Sequence, residues 1–121
     1  MMRPPIWIGH VNLKVNSLED SETFYKNLGL RSLFKNDEVS ILELRGGTHL
    51  ILVLDDQMEA GDAKFDFMVE KLDESYDLFK GQGLALGEIT RGDIHDSFEL
   101  EDPAGNRIVV NSTHVNDHAL V

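Results

Sequence analysis

The chain has 121 residues and a mass of 13.6 kDa, which suits one domain large enough to bury a core without a disulfide or a metal. Twenty-two acidic residues against eleven basic ones give a net charge of −11, which argues against binding to phosphate backbones. Cysteine is absent, which excludes a disulfide framework, a thiolate nucleophile and a zinc finger.

The first half of the chain predicts one strand, one helix and three further strands. The segment His10–Val15 alternates polar and apolar residues, which is the period of a half-buried strand. A short amphipathic helix is predicted next, because Ser17 or Asp20 can cap its start and Gly29 suits its end. Strands are then expected at about 31–34, 39–45 and 48–54. The pair Gly46-Gly47 is a strong hairpin signal between the last two strands.

The second half repeats the pattern of the first. When the sequence is displaced by 54 residues, His10–Val15 falls on Lys64–Val69 and the two predicted helices coincide without a gap. Further strands are expected at about 86–90, 97–101 and 106–111. Within a single domain, we predict a first βαβββ module over about 6–54, a linker over 55–63, a second module over about 64–112 and a tail over 113–121. The fold is then α+β, with both modules forming a curved mixed sheet around a cleft that suits a small ligand.

Three segments carry a resemblance to a known superfamily. They read GHVNLKV from Gly9, SETFYKNLGL from Ser21 and DPAGNRI from Asp102. The chain resembles the vicinal oxygen chelate superfamily, which includes glyoxalase I, extradiol dioxygenases and bleomycin resistance proteins. The resemblance covers nearly the whole chain and implies a glyoxalase-like fold. Asp-Pro followed by Gly-Asn presets a turn, so the last segment marks the fold and not a reaction.

The resemblance also implies four positions for metal ligands, on the first and last strands of each module. By motif, these positions hold His10, Ile51, Lys64 and Val109. Isoleucine and valine cannot bind a cation and lysine would repel it, whereas protein metal sites use three or four ligands. We therefore predict a degenerate metal site and no cofactor.

Strand alternation predicts which side chains face a ligand, because residues two apart share one face of a strand. If His10 faces the cleft, the ligand-binding residues are His10, Asn12, His49, Lys64, Asp66, Arg107 and Asn111, over an apolar floor of Ile51, Met68 and Val109. Arg107 and Lys64 would suit a carboxylate, an enolate or a phosphate. In the alternative interpretation, the side chains of Arg107 and Lys64 point into solvent and do not face a ligand.

Three hypotheses for function stay open. The favoured one is a glyoxalase-like protein that binds a small molecule without a metal, by analogy with the bleomycin-binding relatives. The second is a metal-dependent glyoxalase-like lyase, isomerase or dioxygenase, in which His10, His49 and Asp66 bind Ni(II), Zn(II) or Fe(II). The third is a structural or protein-binding domain with a filled cleft. The sequence therefore leaves open whether the chain is an enzyme.

Two other groups of residues that contain histidine are weaker candidates for a functional site. His114 and His118 have helical spacing in a tail without apolar periodicity, which predicts a surface end. His95 and Asp96 lie in a loop before a strand, where an acid or a base could reach a ligand.

The expected partners are a small-molecule ligand and a second copy of the chain. Ile6 and Trp7 precede the first strand and could form part of a homodimer surface, in which the modules pair within one chain or are swapped. No apolar run reaches the roughly 18 residues that a membrane helix needs, and the N-terminus lacks the apolar region of a signal peptide. We expect a cytoplasmic protein that binds neither membranes nor nucleic acid.

Overall fold

The computed structural model describes residues 3–113, and the order of elements repeats once along them. The first repeat consists of β1 (His10–Val15), α1 (Leu18–Asn27), β2 (Arg31–Lys35), β3 (Val39–Glu43) and β4 (His49–Leu54). The second repeat consists of β5 (Phe67–Val69), α2 (Leu72–Gly81), β6 (Ala85–Leu86), β7 (Ser97–Glu101) and β8 (Arg107–Ser112). The predicted α+β fold of two βαβββ modules is confirmed.

The chain forms two compact units, each with one four-stranded mixed sheet. The first unit contains Ile6–Gly61 and Asp102–Gly105, and the second contains Asp62–Glu101 with residues 3–5 and 106–113. The strand order is β1-β4-β3-β2 in the first sheet and β5-β8-β7-β6 in the second. In each sheet the first pair is parallel and the other pairs are antiparallel. No helix in the part of the chain that is described could cross a membrane.

Helix α1 covers one face of the first sheet. The Ser17 hydroxyl accepts a hydrogen bond of 3.2 Å from the backbone N–H of Asp20, so Ser17 is the cap and the alternative, Asp20, lies within the helix. Leu42, Leu50 and Leu52 lie on the covered face with no accessible surface. Burying each of these side chains stabilises the unit by about 1.5–3 kcal/mol, so the covered face is the hydrophobic core of the first unit.

Two of the sequence motifs meet in the first unit. Tyr25 and Asp102 are both buried, and the tyrosine hydroxyl donates a hydrogen bond of 2.8 Å to the carboxylate. The same carboxylate accepts a hydrogen bond of 2.9 Å from the backbone N–H of Ala104. Gly105 has φ 87°, and a Cβ there would lie 3.0 Å from the Cβ of Ala60, so only glycine fits. The DPAGN turn therefore has a structural role, as expected for a motif that marks the fold.

Helix α2 covers one face of the second sheet through aromatic contacts. The ring of Phe98 on β7 meets the rings of Tyr76 and Phe79 edge-on, with centroids 5.1 and 6.4 Å apart. Ile108 and Val110 on β8 are buried on the same side, in the core of the second unit.

The first strand of the second module is shorter than the repeat predicts. We expected a strand from Lys64 to Val69, but β5 contains three residues only. An isolated bridge pairs Asp62 with Arg107, and regular pairing resumes at the start of β5. From the bridge to the start of β5, the chain advances five residues, from Asp62 to Phe67. Over the same distance β8 advances three residues, from Arg107 to Val110. Two extra residues near Lys64 therefore lie outside the sheet pairing. The prediction that Lys64 lies on a strand is therefore wrong.

We predict that Tyr25→Phe destabilises the protein by about 1–3 kcal/mol, because a buried carboxylate loses one hydrogen-bond donor. Chemical denaturation at neutral pH measures the change in the free energy of unfolding. Tyr76→Phe is the matched control, since it keeps the ring that packs on Phe98. Equal stability of the two variants would contradict the structural role of the Tyr25–Asp102 bond.

The Tyr25–Asp102 pair also predicts how the stability of the protein changes at alkaline pH. Burial raises the pKa of the Tyr25 hydroxyl well above its usual range, and the charge of Asp102 and the hydrogen bond to it add to the rise. The folded protein then holds a proton that the unfolded chain releases above about pH 10, so stability falls as the pH rises further. We expect the stability difference between wild type and Tyr25→Phe to shrink by about 1 kcal/mol per pH unit above 10. A difference that stays constant between pH 9 and pH 11 would rule out this linkage.

Candidate functional site

The face of the first sheet opposite α1 carries the candidate site. The Ser40 hydroxyl donates a hydrogen bond of 2.9 Å to Glu22 on α1, so Ser40 and the residues in register with it face the helix. Alternate residues therefore point to the other side, which we call the helix-free face. By strand register this face includes His10, Asn12, Arg31, Phe34, Ile41, Glu43, His49 and Ile51.

Two rows of side chains cross the helix-free face, each with one residue from each strand. The first, which we call the polar row, consists of His10, His49, Glu43 and Arg31 in that spatial order. The second, which we call the apolar row, consists of Asn12 at one edge followed by Ile51, Ile41 and Phe34. The face thus combines hydrogen-bonding groups with an adjoining hydrophobic strip.

A carboxylate anchored by an arginine lies beside His49. Arg31 forms an ion pair with Glu43, and the other oxygen of Glu43 lies 3.9 Å from Nε2 of His49. The Glu43 side chain is 22% exposed and the His49 side chain 41% exposed, so both are reachable from solvent. Gly46 and Gly47, at φ 84° and 90°, form the turn that holds β3 and β4 in this register. Because neighbouring strands hold the groups, the row is preorganised.

Sequence reasoning found His10, Asn12 and His49 on this face but missed Glu43 and Arg31. Glu43 lies two residues after Ile41 on β3, so alternation alone puts these two on one face. The pairing of β3 with β4 was needed to bring Glu43 to His49. Arg31 precedes an irregularity in the register of β2, where simple alternation fails.

The other predicted ligand-binding residues belong to the second unit. Arg107 donates a hydrogen bond of 2.8 Å from Nε to Asp62, and Asn111 donates one of 2.9 Å from Nδ2 to Asp66. Lys64 is exposed at the bend before β5. The guanidinium of Arg107 is therefore already paired with a carboxylate, and binding of a ligand anion by Arg107 or Lys64 stays a prediction.

The face of the second sheet opposite α2 is acidic. Two pockets of about 270 and 280 Å³ open on it, and they share Gly87 and Glu99 as lining residues. Glu101 and Arg107 also line one pocket, and Glu88 lines the other. Carboxylates outnumber cations here, so this face is a poorer site for an anionic ligand than the polar row.

The ligand positions implied by the resemblance do not fit a metal ion. Ile51 lies in the apolar row, and Val109 lines one of the pockets on the second sheet. Within residues 3–113, no group of three or more His, Cys, Asp or Glu side chains could hold a metal. His10 and His49 are neighbours, but two imidazoles fall short of the usual three or four ligands. The described residues therefore give no support to the alternative set His10, His49 and Asp66.

His95 and Asp96 are held by hydrogen bonds in the loop before β7. Nδ1 of His95 lies 2.6 Å from the carbonyl oxygen of Ser112, and Asp96 accepts a hydrogen bond of 2.9 Å from Arg91. These contacts fix the loop before β7. His114 and His118 lie outside the described residues.

Solved structures show which fold the two βαβββ modules form. Lactoylglutathione lyase from Agrobacterium tumefaciens is 22% identical, with a TM-score of 0.78 over 93% of this chain and 98% of that chain. A glyoxalase/bleomycin resistance protein/dioxygenase from Alicyclobacillus acidocaldarius is 20% identical, with a TM-score of 0.73 over 96% and 98%. A glyoxalase family protein from Bacillus anthracis is 19% identical, with a TM-score of 0.76 over 93% and 99%. At these identities the likeness shows the fold alone.

The family follows from the sequence match. Residues 7–110 match the profile of the Glyoxalase/Bleomycin resistance protein/Dioxygenase superfamily, and the chain belongs to this superfamily. The resemblance predicted from the motifs is thereby confirmed. No curated protein sequence matches the chain. Membership does not identify a ligand or a reaction, because one fold supports many chemistries.

We predict that Ile51→Glu creates a metal site on the helix-free face. The new carboxylate would lie two residues from His49 on the same strand and diagonally across from His10, which completes a three-ligand set. Affinity for Ni(II) or Zn(II), measured by calorimetry, should rise by at least about tenfold over wild type. Ile51→Gln is the control, since its amide has the same shape without the charge. No gain in Ile51→Glu would mean that the histidines cannot converge on an ion.

Proposed function

We propose that this protein binds a small planar organic molecule on the helix-free face of the first sheet, without a metal ion. The observation that carries the proposal is the pairing of an apolar row with a polar row on that face. Ligand sites generally combine an apolar surface, which supplies affinity, with a few fixed polar groups, which supply orientation.

The apolar row is suited to a flat ligand. Phe34 is 51% exposed, and Ile41 and Ile51 are half-buried, so apolar surface remains in contact with solvent. Covering it would contribute about 25 cal/mol per Å² of apolar area, and an aromatic ligand could stack on the Phe34 ring. At one edge of the row, Asn12 can donate and accept hydrogen bonds.

A metal-dependent lyase, isomerase or dioxygenase is the second candidate. The observation in its favour is that His10 and His49 are direct neighbours on the helix-free face. It needs a third ligand, for which the earlier hypothesis names Asp66. The non-metal function is preferred, because no described group of three suitable side chains could hold the ion.

The predicted homodimer stays a prediction. Its support is an apolar segment ahead of β1, where Ile6, Trp7 and Ile8 are 81%, 71% and 64% exposed. Three consecutive exposed apolar side chains are typical of an interaction surface, whereas single ones are common on monomers.

The ligand proposal predicts that planar aromatic fragments bind and that binding depends on the apolar row. In ligand-observed NMR with a panel of planar fragments, we expect binding to wild type and at least about tenfold weaker binding to Phe34→Ser. Leu78→Ser is the matched control, because Leu78 is similarly exposed, at 59%, but lies on α2. Equal binding to both variants, or no binding to wild type, would contradict the proposal.

Metal analysis separates the two candidates. Purified protein should contain no stoichiometric Ni, Zn or Fe, and adding these ions should leave fragment binding unchanged. Stoichiometric metal that is lost in His10→Ala with His49→Ala would favour the metal-dependent enzyme instead.

A further inference from the structure

Strand β2 carries one extra residue, which decides which of its side chains reach the helix-free face. Arg31 pairs with Glu43 and Phe34 pairs with Ile41, so three residues advance on β2 against two on β3. Leu33 has no partner in this register and belongs to a β-bulge. In a regular strand, residues three apart point to opposite faces, whereas here Arg31 and Phe34 share one face.

Contacts with α1 support this assignment of faces. The Ser32 hydroxyl lies 3.4 Å from the carboxylate of Glu22 on α1, and Nζ of Lys35 lies 4.0 Å from the same carboxylate. Ser32 and Lys35 therefore face the helix, and Arg31 and Phe34 are neighbours on the other side. Their separation along the strand is about 7 Å, because the two rows are two residues apart on β3.

The guanidinium of Arg31 is held in place and still has donors to offer. It forms an ion pair with Glu43 through Nη2, and within residues 3–113 Glu43 is the one acceptor that contacts it. An arginine has five N–H groups, so Nε and Nη1 can donate to a ligand. The Arg31 side chain is 73% exposed and that of Glu43 22% exposed, so an incoming ligand meets the cation before the carboxylate.

The positive charge of Arg31 is permanent. Arginine stays protonated in proteins, so recognition of an anion by Arg31 requires no proton transfer. The chain as a whole carries −11, which repels anions at long range. An anionic ligand therefore needs a cation in direct contact, and Arg31 supplies one beside the apolar row.

We propose that the ligand of the helix-free face is a planar aromatic carboxylate, with its carboxylate on Arg31 and its ring on Phe34. This inference rests on the proposed function and names its ligand class. The planar fork of a guanidinium matches the two oxygens of a carboxylate, and the exposed Phe34 ring offers a surface for stacking. A carboxylate attached directly to an aromatic ring reaches both, because the two side chains are neighbours.

The test compares 2-naphthoate with 2-naphthamide, which has the same ring and nearly the same shape but no charge. Each is titrated into the full chain at neutral pH, and its binding is measured by calorimetry. We expect 2-naphthoate to bind at least about fivefold more tightly than 2-naphthamide, because charge-assisted hydrogen bonds are stronger than neutral ones. The preference should shrink as salt is added, since ions screen an exposed charge.

Three variants test the assigned roles. Arg31→Gln should abolish the preference for 2-naphthoate while 2-naphthamide still binds as it does to wild type. Lys35→Gln is the matched control, because it removes the same charge from the same strand but on the side that faces α1. Phe34→Ser should weaken the binding of both probes by about tenfold. Melting curves establish that each variant is folded.

Deletion of Leu33 tests the role of the bulge. Without the extra residue, Arg31 and the phenylalanine that follows point to opposite faces, so the preference for 2-naphthoate should be lost. A folded deletion variant that keeps the preference would overturn the role of the bulge. If the deletion prevents folding, the comparison of Arg31→Gln with Lys35→Gln decides the ligand class.

The outcomes distinguish this inference from the function on which it rests. Equal affinity of wild type for the two probes, or a preference that survives in Arg31→Gln, would overturn the carboxylate inference and leave planar-ligand binding intact. An equal loss of preference in Lys35→Gln would also overturn it, because the effect would then come from overall charge. Failure of both probes and of the whole fragment panel would overturn the proposed function itself.

Discussion

The register of the first sheet is the constraint on which the candidate site depends. β4 lies between β1 and β3, parallel to one and antiparallel to the other, and so brings side chains from both to His49. Because Leu50 and Leu52 must be buried under α1, the alternate residues of β4 are forced to the helix-free face. A slip of one residue would exchange the two sets and bury the polar row. The hydrophobic core thus stabilises the unit and also selects the residues that meet a ligand.

The two modules share a fold, but the sheet face opposite the helix carries different side chains in each module. In the first sheet, histidines and an anchored glutamate adjoin an apolar strip. In the second, Glu99 and Glu101 line the pockets, and the guanidinium of Arg107 is paired with Asp62. Both sheets bury an apolar side under their helix, which is what the shared fold requires, whereas their other sides differ in charge. This is why the family identity of the chain is clear while its ligand has to be argued from the site.

Most of the fold could be predicted from local patterns in the sequence. The helix α1 and the Gly46-Gly47 turn each depend on neighbouring residues and are found as predicted, and Ser17 is the one of the two candidate caps that the structure selects. The strand expected from Lys64 failed because two extra residues leave the sheet before β5, which depends on pairing with the distant β8. The Tyr25–Asp102 bond joins residues 77 apart, so the motifs predicted both ends without indicating that they meet.

For the site, the sequence by itself determined the residue types and their alternation. It placed His10 and Asn12 on one face of a strand and His49 and Ile51 on one face of another. Only the tertiary structure decided which strand lies beside which, and therefore that Glu43 and Arg31 complete the row that contains both histidines. The physical reason is that alternation is a local property of a strand, whereas strand order and register are set by long-range hydrogen bonds and by burial of the core.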